Sequence, residues 1–103
     1  MKEQQIQTKI IKFLESKDFL VVKTMVVSKA GVPDLLCCSP NGRFWAIEVK
    51  TPQGKASKLQ EWWIRKFLAN KAIAFFAYGY EDFLVKFQNG TIIESNCDIP
   101  SAN

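Results

Sequence analysis

Apolar residues recur at helical spacing over residues 3–17, EQQIQTKIIKFLESK, where Ile6, Ile10 and Leu14 fall four apart and Phe13 lies beside them. That pattern predicts an amphipathic helix. The rhythm then shortens. Residues 19–27, FLVVKTMVV, are β-branched and brief, which predicts a strand that "SKAG" closes. Residues 32–38, VPDLLCC, predict a second strand, with Pro33 tolerable at its beginning or on an edge. SPNG at 39–42 is a turn signal, so residues 43–50, RFWAIEVK, return as a third strand and complete a hairpin. After the loop TPQGKA, residues 57–70, SKLQEWWIRKFLAN, open with Ser57 and Gln60 in capping-box spacing. This second helix carries Leu59, Trp63 and Phe67 on one stripe. Residues 72–78, AIAFFAY, are wholly apolar, as a strand covered on both faces should be. Residues 81–88, EDFLVKFQ, fit either a short helix or a turn followed by a strand, and from Asn89 a short strand and a frayed end are expected. The order α-β-β-β-α-β-α predicts an α/β fold of α+β-like character, a mixed sheet flanked by helices.

Composition narrows the possibilities. A chain of 103 residues, 48% hydrophobic and 23% charged, reads as one globular domain over residues 1–103. No apolar run approaches the ~20 residues of a membrane helix, and the first fifteen residues are too mixed in charge for a signal peptide. A cytoplasmic protein with no membrane partner is expected. The net charge of +4 is unevenly spread: residues 1–79 hold thirteen Lys/Arg against six Asp/Glu, and residues 80–103 hold one against four. A basic body suits a polyanionic partner, although solubility explains the charge equally well.

The three cysteines form no framework, since Cys37 and Cys38 are adjacent and point to opposite faces of a strand, and Cys97 stands alone. They read as reduced, mainly buried thiols. With no histidine and no Cys-x-x-Cys, the chain argues against a structural zinc site, and Ser-His-Asp and Cys-His catalysis are excluded. Any chemistry must run on carboxylates, lysine or a hard metal ion.

One constellation supplies those groups. Strand alternation puts Trp45, Ile47 and Val49 on one face of RFWAIEVK, a core face, and Phe44, Ala46, Glu48 and Lys50 on the other. The SPNG turn returns the chain so that Asp34 lies across from Glu48 or one position off. Two converging carboxylates beside a lysine would bind a hard divalent cation such as Mg²⁺, which can activate water and neutralise a scissile phosphate. The spacing alone is weak evidence, because Glu15-Ser16-Lys17 repeats it on a solvated helix end. Glu-x-Lys on a strand is ordinarily a surface ion pair.

Asp34 followed by Glu48-Val49-Lys50 resembles the PD-(D/E)XK nuclease signature. With the early EQQIQ, then GVPDLL, a turn, GRFWAIEVKTPQGK and SKLQEWW, the chain is similar to the stand-alone virus-type replication-repair nuclease domain, VRR-NUC, over roughly residues 3–85. Archaeal Holliday-junction resolvases are more distant relatives. The resemblance implies a restriction-endonuclease-like core and a Mg²⁺-dependent DNA endonuclease, Mn²⁺ being an alternative ion. Asp34 and Glu48 would hold the metal with the Val49 carbonyl, and Lys50 would orient water and stabilise phosphate charge. Glu3 matches a glutamate of the first helix near a second ion. Gln60 matches a glutamine that opens the helix after the signature, or serves only as the N3 member of the capping box. The resemblance also implies a homodimer acting on branched or junction DNA; a flat stripe of exposed Trp and apolar residues on helix 57–70 or on 81–88 would supply its interface.

The remaining site readings are electrostatic. Lys55, Lys58, Arg65, Lys66 and Lys71 follow the signature against only Glu61, and Lys23 and Lys29 flank the first hairpin. They would contact phosphates independently of sequence, although a solvated helix face accounts equally well for Lys66 and Lys71. Trp62 and Trp63 cannot both face the core. Trp63 shares the apolar stripe, so Trp62 is the candidate for a DNA or subunit contact, packing being its plainer role. Two further functional readings stay open: a non-catalytic nucleic-acid-binding module, and a sequence-specific restriction-type nuclease of the same superfamily.

Overall fold

In the computed structural model, whose described residues run from 1 to 97, four strands form one mixed sheet in the order β1-β2-β3-β4. The elements are α1 Glu3–Ser16, β1 Leu20–Lys23, β2 Leu35–Cys38, β3 Phe44–Lys50, α2 Lys58–Ala69, β4 Ile73–Tyr78 and α3 Tyr80–Cys97. The first three strands are antiparallel neighbours, and β4 lies parallel to β3. Parallel neighbours need a long crossover, and α2 provides it. The expected α-β-β-β-α-β-α order and mixed sheet are therefore observed.

One sheet face carries the main core. Ile6, Ile10 and Leu14 of α1 are buried there against Leu35, Cys37, Trp45, Ile47, Val49 and Ala77, with Phe83 of α3. Trp45, Ile47 and Val49 do form the core face of β3. Each fully buried side chain of this size contributes about 1.5–3 kcal/mol. Burial pushes the Cys37 thiol up to about 12, so it stays protonated, while Cys38 points to the other face and is half-buried. The Cys97 side chain lies outside the described residues. On that second face α2 packs Ile64 and Phe67 over Ala46, Ala74, Leu36 and Phe76.

Four expectations are corrected. The first strand stops at Lys23 rather than residue 27, because the Thr24 N–H and hydroxyl turn back onto the Asp34 and Pro33 carbonyls at 2.8 and 2.9 Å. The second strand starts at Leu35, so Pro33 and Asp34 precede it. The α2 stripe is rotated by about one position: Ile64 is its buried residue and Leu59 is exposed, since Gln60 is drawn toward the sheet. No strand begins at Asn89, because α3 continues as a helix to Cys97. The frayed end expected beyond it falls on residues 98–103, outside the described residues.

A buried polar cluster explains the length of α3. Glu94, one turn from its end, accepts the Ser39 hydroxyl at 2.6 Å and the Trp45 indole N–H at 3.2 Å. Ser39 Oγ in turn accepts the Arg43 and Asn41 amides of the SPNG turn at 3.1 and 3.3 Å. One carboxylate thus ties α3 to the hairpin that carries the site. Gly90 lets α3 approach closely, since a Cβ there would stand 2.5 Å from Trp45 Cη2 and 3.0 Å from Ile73 Cγ2. Replacing an interior helical glycine with alanine ordinarily gains about 1 kcal/mol. Gly90→Ala is expected to destabilise instead, by about 1–3 kcal/mol in urea unfolding; a gain in stability would contradict this packing.

Candidate active site

The hairpin register places the two acidic side chains. Leu35 pairs with Ile47 and Leu36 with Ala46, and continuing that register sets Asp34 opposite Glu48. The Asp34 amide donates to Glu48 Oε1 at 3.2 Å, and the Val49 amide donates to Asp34 Oδ2 at 3.0 Å. Each carboxylate is thus held by the other strand's backbone. Asp34 is fixed from behind by Thr24, which the sequence reading passed over. The Thr24 N–H and Oγ both donate to the Asp34 carbonyl, at 2.8 and 3.1 Å. Its only signal was a threonine inside an apolar run.

Glu48 is the best enclosed polar group of the site, 4% exposed. Gln60 Nε2 donates to its Oε2 at 3.1 Å, and Lys50 Nζ lies 3.8 Å from the same oxygen. Gln60 does this while capping α2: its Oε1 accepts the Ser57 amide at 2.9 Å, and its own amide donates to Ser57 Oγ at 3.1 Å. Gln60 thus bonds both the helix cap and the Glu48 carboxylate, one with each end of its side-chain amide. Burial pushes the Glu48 carboxyl up to about 8, and the neighbouring Asp34 charge adds to that. Lys50 and the Asp34 amide pull it back only in part, and Glu3 contributes a small further rise.

Glu3, in the first turn of α1, is close enough to be felt by Glu48 but does not join the pair. Among the described residues no three Asp, Glu, Cys or His side chains converge. The donors that do converge are hard: two carboxylates, with one cation for two acids. Asp34 uses Oδ2 on the Val49 amide, which leaves its other oxygen for a ligand. Such a set fits Mg²⁺, which takes one or two carboxylates, keeps waters and shares substrate phosphates. It does not fit a soft metal, for which no histidine or thiolate is at hand. Val49 itself is otherwise a core residue, its side chain fully buried.

The candidate contact residues fall into two groups. Lys58, Trp62 and Arg65 line one shallow depression with Leu59 on the outer side of α2. The Lys66 ammonium sits 5.3 Å above the Trp62 ring. Lys23, Lys29 and Lys55 are exposed on the segments around Asp34 and after β3. The loop bearing Lys29 is seated on α2 by the Trp63 indole, which donates to the Ala30 carbonyl at 2.8 Å. Gly31, with φ of +81, closes it: a Cβ would stand 2.6 Å from Leu59.

A four-stranded mixed sheet, with paired carboxylates where a hairpin opens and a lysine two residues beyond the second, defines a nuclease-type domain. A family model described as VRR-NUC domain matches residues 2–80, and the chain belongs to that nuclease family. A solved structure described as "VRR_NUC domain" is similar to it at 28% identity and a TM-score of 0.71, covering 82% of this chain and 94% of that one. No curated protein matches the chain. Among the described residues no helix is long and apolar enough to cross a membrane.

The raised Glu48 carboxyl has a pH signature. Its folded-state value of about 8 stands above the usual 4.5, so ionising it costs the fold stability as pH rises through that window. Glu48→Gln removes the cost. In metal-free buffer the variant and wild type should be nearly equal in stability near pH 4.5. Above pH 8 the variant should be the more stable, by on the order of 3–5 kcal/mol at about 1.4 kcal/mol per pKa unit. Parallel stability curves over that range would contradict the assignment.

Proposed function

We propose that this chain is a Mg²⁺-dependent DNA endonuclease, Mn²⁺ substituting, that hydrolyses phosphodiester bonds in branched or junction DNA as a homodimer. The observation that carries the reading is Asp34 opposite Glu48, with Lys50 and Gln60 both on the Glu48 carboxylate. Asp34, Glu48 and the Val49 carbonyl would hold the ion, with Glu3 reaching a second one through water. When bound, the ion supplies Lewis-acid polarisation of water and neutralises phosphate charge. The chain's own groups do the rest. Gln60 and the Asp34 amide hold Glu48 in one orientation, and the Val49 amide does the same for Asp34. Lys50 aligns the attacking water and balances charge on a non-bridging phosphate oxygen. Water adds to phosphorus in line as the bond to O3′ breaks, leaving a 5′-phosphate and a 3′-hydroxyl.

Binding is assigned to phosphate contacts. Lys58 and Arg65, with Trp62 between them, offer cations and an aromatic face on one depression. Lys23, Lys29 and Lys55 extend the basic surface toward Asp34. These residues position the duplex without reading bases, so structure rather than sequence selects the substrate.

Two measurements test the reading. Junction, flap and plasmid DNA should be cut with Mg²⁺ and not with EDTA. Asp34→Ala and Glu48→Ala should bind DNA yet leave it intact, and Gln60→Ala should slow cutting about 10–100-fold. A wild type that binds these substrates and cuts none under any divalent metal would leave only a binding module. Separately, Lys58→Ala and Arg65→Ala should each weaken binding evenly across sequences and flatten the salt dependence by about 0.9 per lost phosphate contact. An unchanged slope would remove that depression from the DNA path.

A further inference from the structure

β4 ends the sheet, so one side of its backbone faces no strand. On its inner side the Gly79 amide donates to the Lys50 carbonyl at 2.9 Å. By alternation the Phe76 carbonyl and the Tyr78 amide turn outward. A further parallel strand would meet these two groups with a single residue, donating to the first and accepting from the second. Two side chains of α3 do so instead. The Lys86 ammonium donates to the Phe76 carbonyl at 2.6 Å, and Asp82 Oδ2 accepts the Tyr78 amide at 2.8 Å. Lys86 Nζ and Asp82 Oδ2 are themselves 3.0 Å apart, an i,i+4 ion pair along α3. Such a pair on an ordinary helix face adds little, because water screens it. This one also bonds the main chain of another element, with its side chains only 33% and 32% exposed.

We infer that Asp82 and Lys86 are positioning residues of the site, a stand-in for a fifth strand that locks the end of β4 against Glu48 and Lys50. The inference rests on the nuclease reading above for what the locked groups do. Three observations select it. The bonded residues are the ones that face the site: Phe76 pairs with Glu48, and Tyr78 pairs with Lys50. Paired residues share a sheet face, so the two rings stand beside the Glu48 and Lys50 side chains. Those rings stack on each other, centroids 6.0 Å apart at 26°, and the Lys86 ammonium lies 5.2 Å from the Tyr78 centroid. Lys86 therefore holds both the main chain and the aromatic wall next to Lys50. The last observation is where the hairpin stops. β2 pairs with β3 only as far as Ile47, so among the described residues β4 is the only strand paired with residues 48–50. Asp34 and Gln60 fix the Glu48 side chain from elsewhere. The Lys50 main chain leans on β4, and β4 leans on the α3 ion pair.

The test is amide hydrogen exchange, read by NMR on the metal-free full-length protein, together with cutting kinetics on junction DNA. Lys86→Met and Asp82→Ala each break the stand-in, and neither opens the core because both side chains reach water. Lys86→Arg keeps a charged donor, and Glu81→Ala, on the same turn of α3, is the control. Lys86→Met and Asp82→Ala should speed exchange of the Tyr78, Gly79 and Lys50 amides about tenfold and leave the β1–β2 amides at wild-type rates. In both variants kcat should fall about 10–100-fold with KM unchanged. Lys86→Arg should restore both readouts, and Glu81→Ala should move neither. Should exchange rise locally while wild type cuts no substrate, the lock stands and the nuclease reading falls. Wild-type exchange at Lys50 in both variants overturns the inference. So does faster exchange throughout the sheet, the same local change from Glu81→Ala, or local loosening that leaves kcat untouched in an active enzyme.

Discussion

The arrangement of this protein turns on one nearly buried carboxylate. Glu48 sits on the third strand of a sheet, enclosed, with one lysine for two neighbouring acids. An ionised group in such a place is costly unless it is bonded and balanced. The bonding is complete: the Asp34 amide and the Gln60 side chain each satisfy one of its oxygens. The charge balance is not: burial pushes its carboxyl up to about 8, and the neighbouring Asp34 charge adds to that. A site that is bonded but under-neutralised fits the cation proposed for it.

Much of the surrounding structure exists to hold that residue. The SPNG turn sets a register that faces Asp34 to Glu48, and Ser39 of that turn is anchored by Glu94 from the far end of α3. Thr24 clamps the Asp34 carbonyl, cutting β1 short as it does so. Gln60 is pulled down to the sheet at the first turn of α2, which rotates that helix so that Ile64 enters the core and Leu59 is left outside. The rotation has a consequence for the uncovered half of the sheet. Anchored over β3 and β4, the helix reaches Leu36 of β2 and leaves Leu20 and Val22 of β1 exposed.

How much of this was legible beforehand follows from which forces are local. Alternation along RFWAIEVK predicted the core face of β3 and the Glu48–Lys50 face, because strand geometry admits no other assignment. The hairpin was equally plain, since turn chemistry and the length of both arms agreed. The strand expected from Asn89 was misread because Thr91, Ile92 and Ile93 are β-branched and Gly90 looks like a break. Tertiary contact overrides that propensity: Gly90 is small because Trp45 lies against it, and Glu94 is paid for by Ser39 and Trp45. The α2 stripe was misplaced for a similar reason, as a hydrogen bond to another element outweighed the apolar spacing. Family membership came from several motifs in order, and Glu15-Ser16-Lys17 remains the demonstration that the dipeptide spacing alone says little.

If Glu48 is held neutral until a cation arrives, metal binding must release its proton. Calorimetric titration with Mg²⁺ in buffers of different ionisation enthalpy counts that proton. The account predicts release of about one proton per ion below pH 8, fading above it, with weak binding and no release for Glu48→Gln. Binding of equal strength to both proteins, or binding without proton release near pH 7, would contradict it.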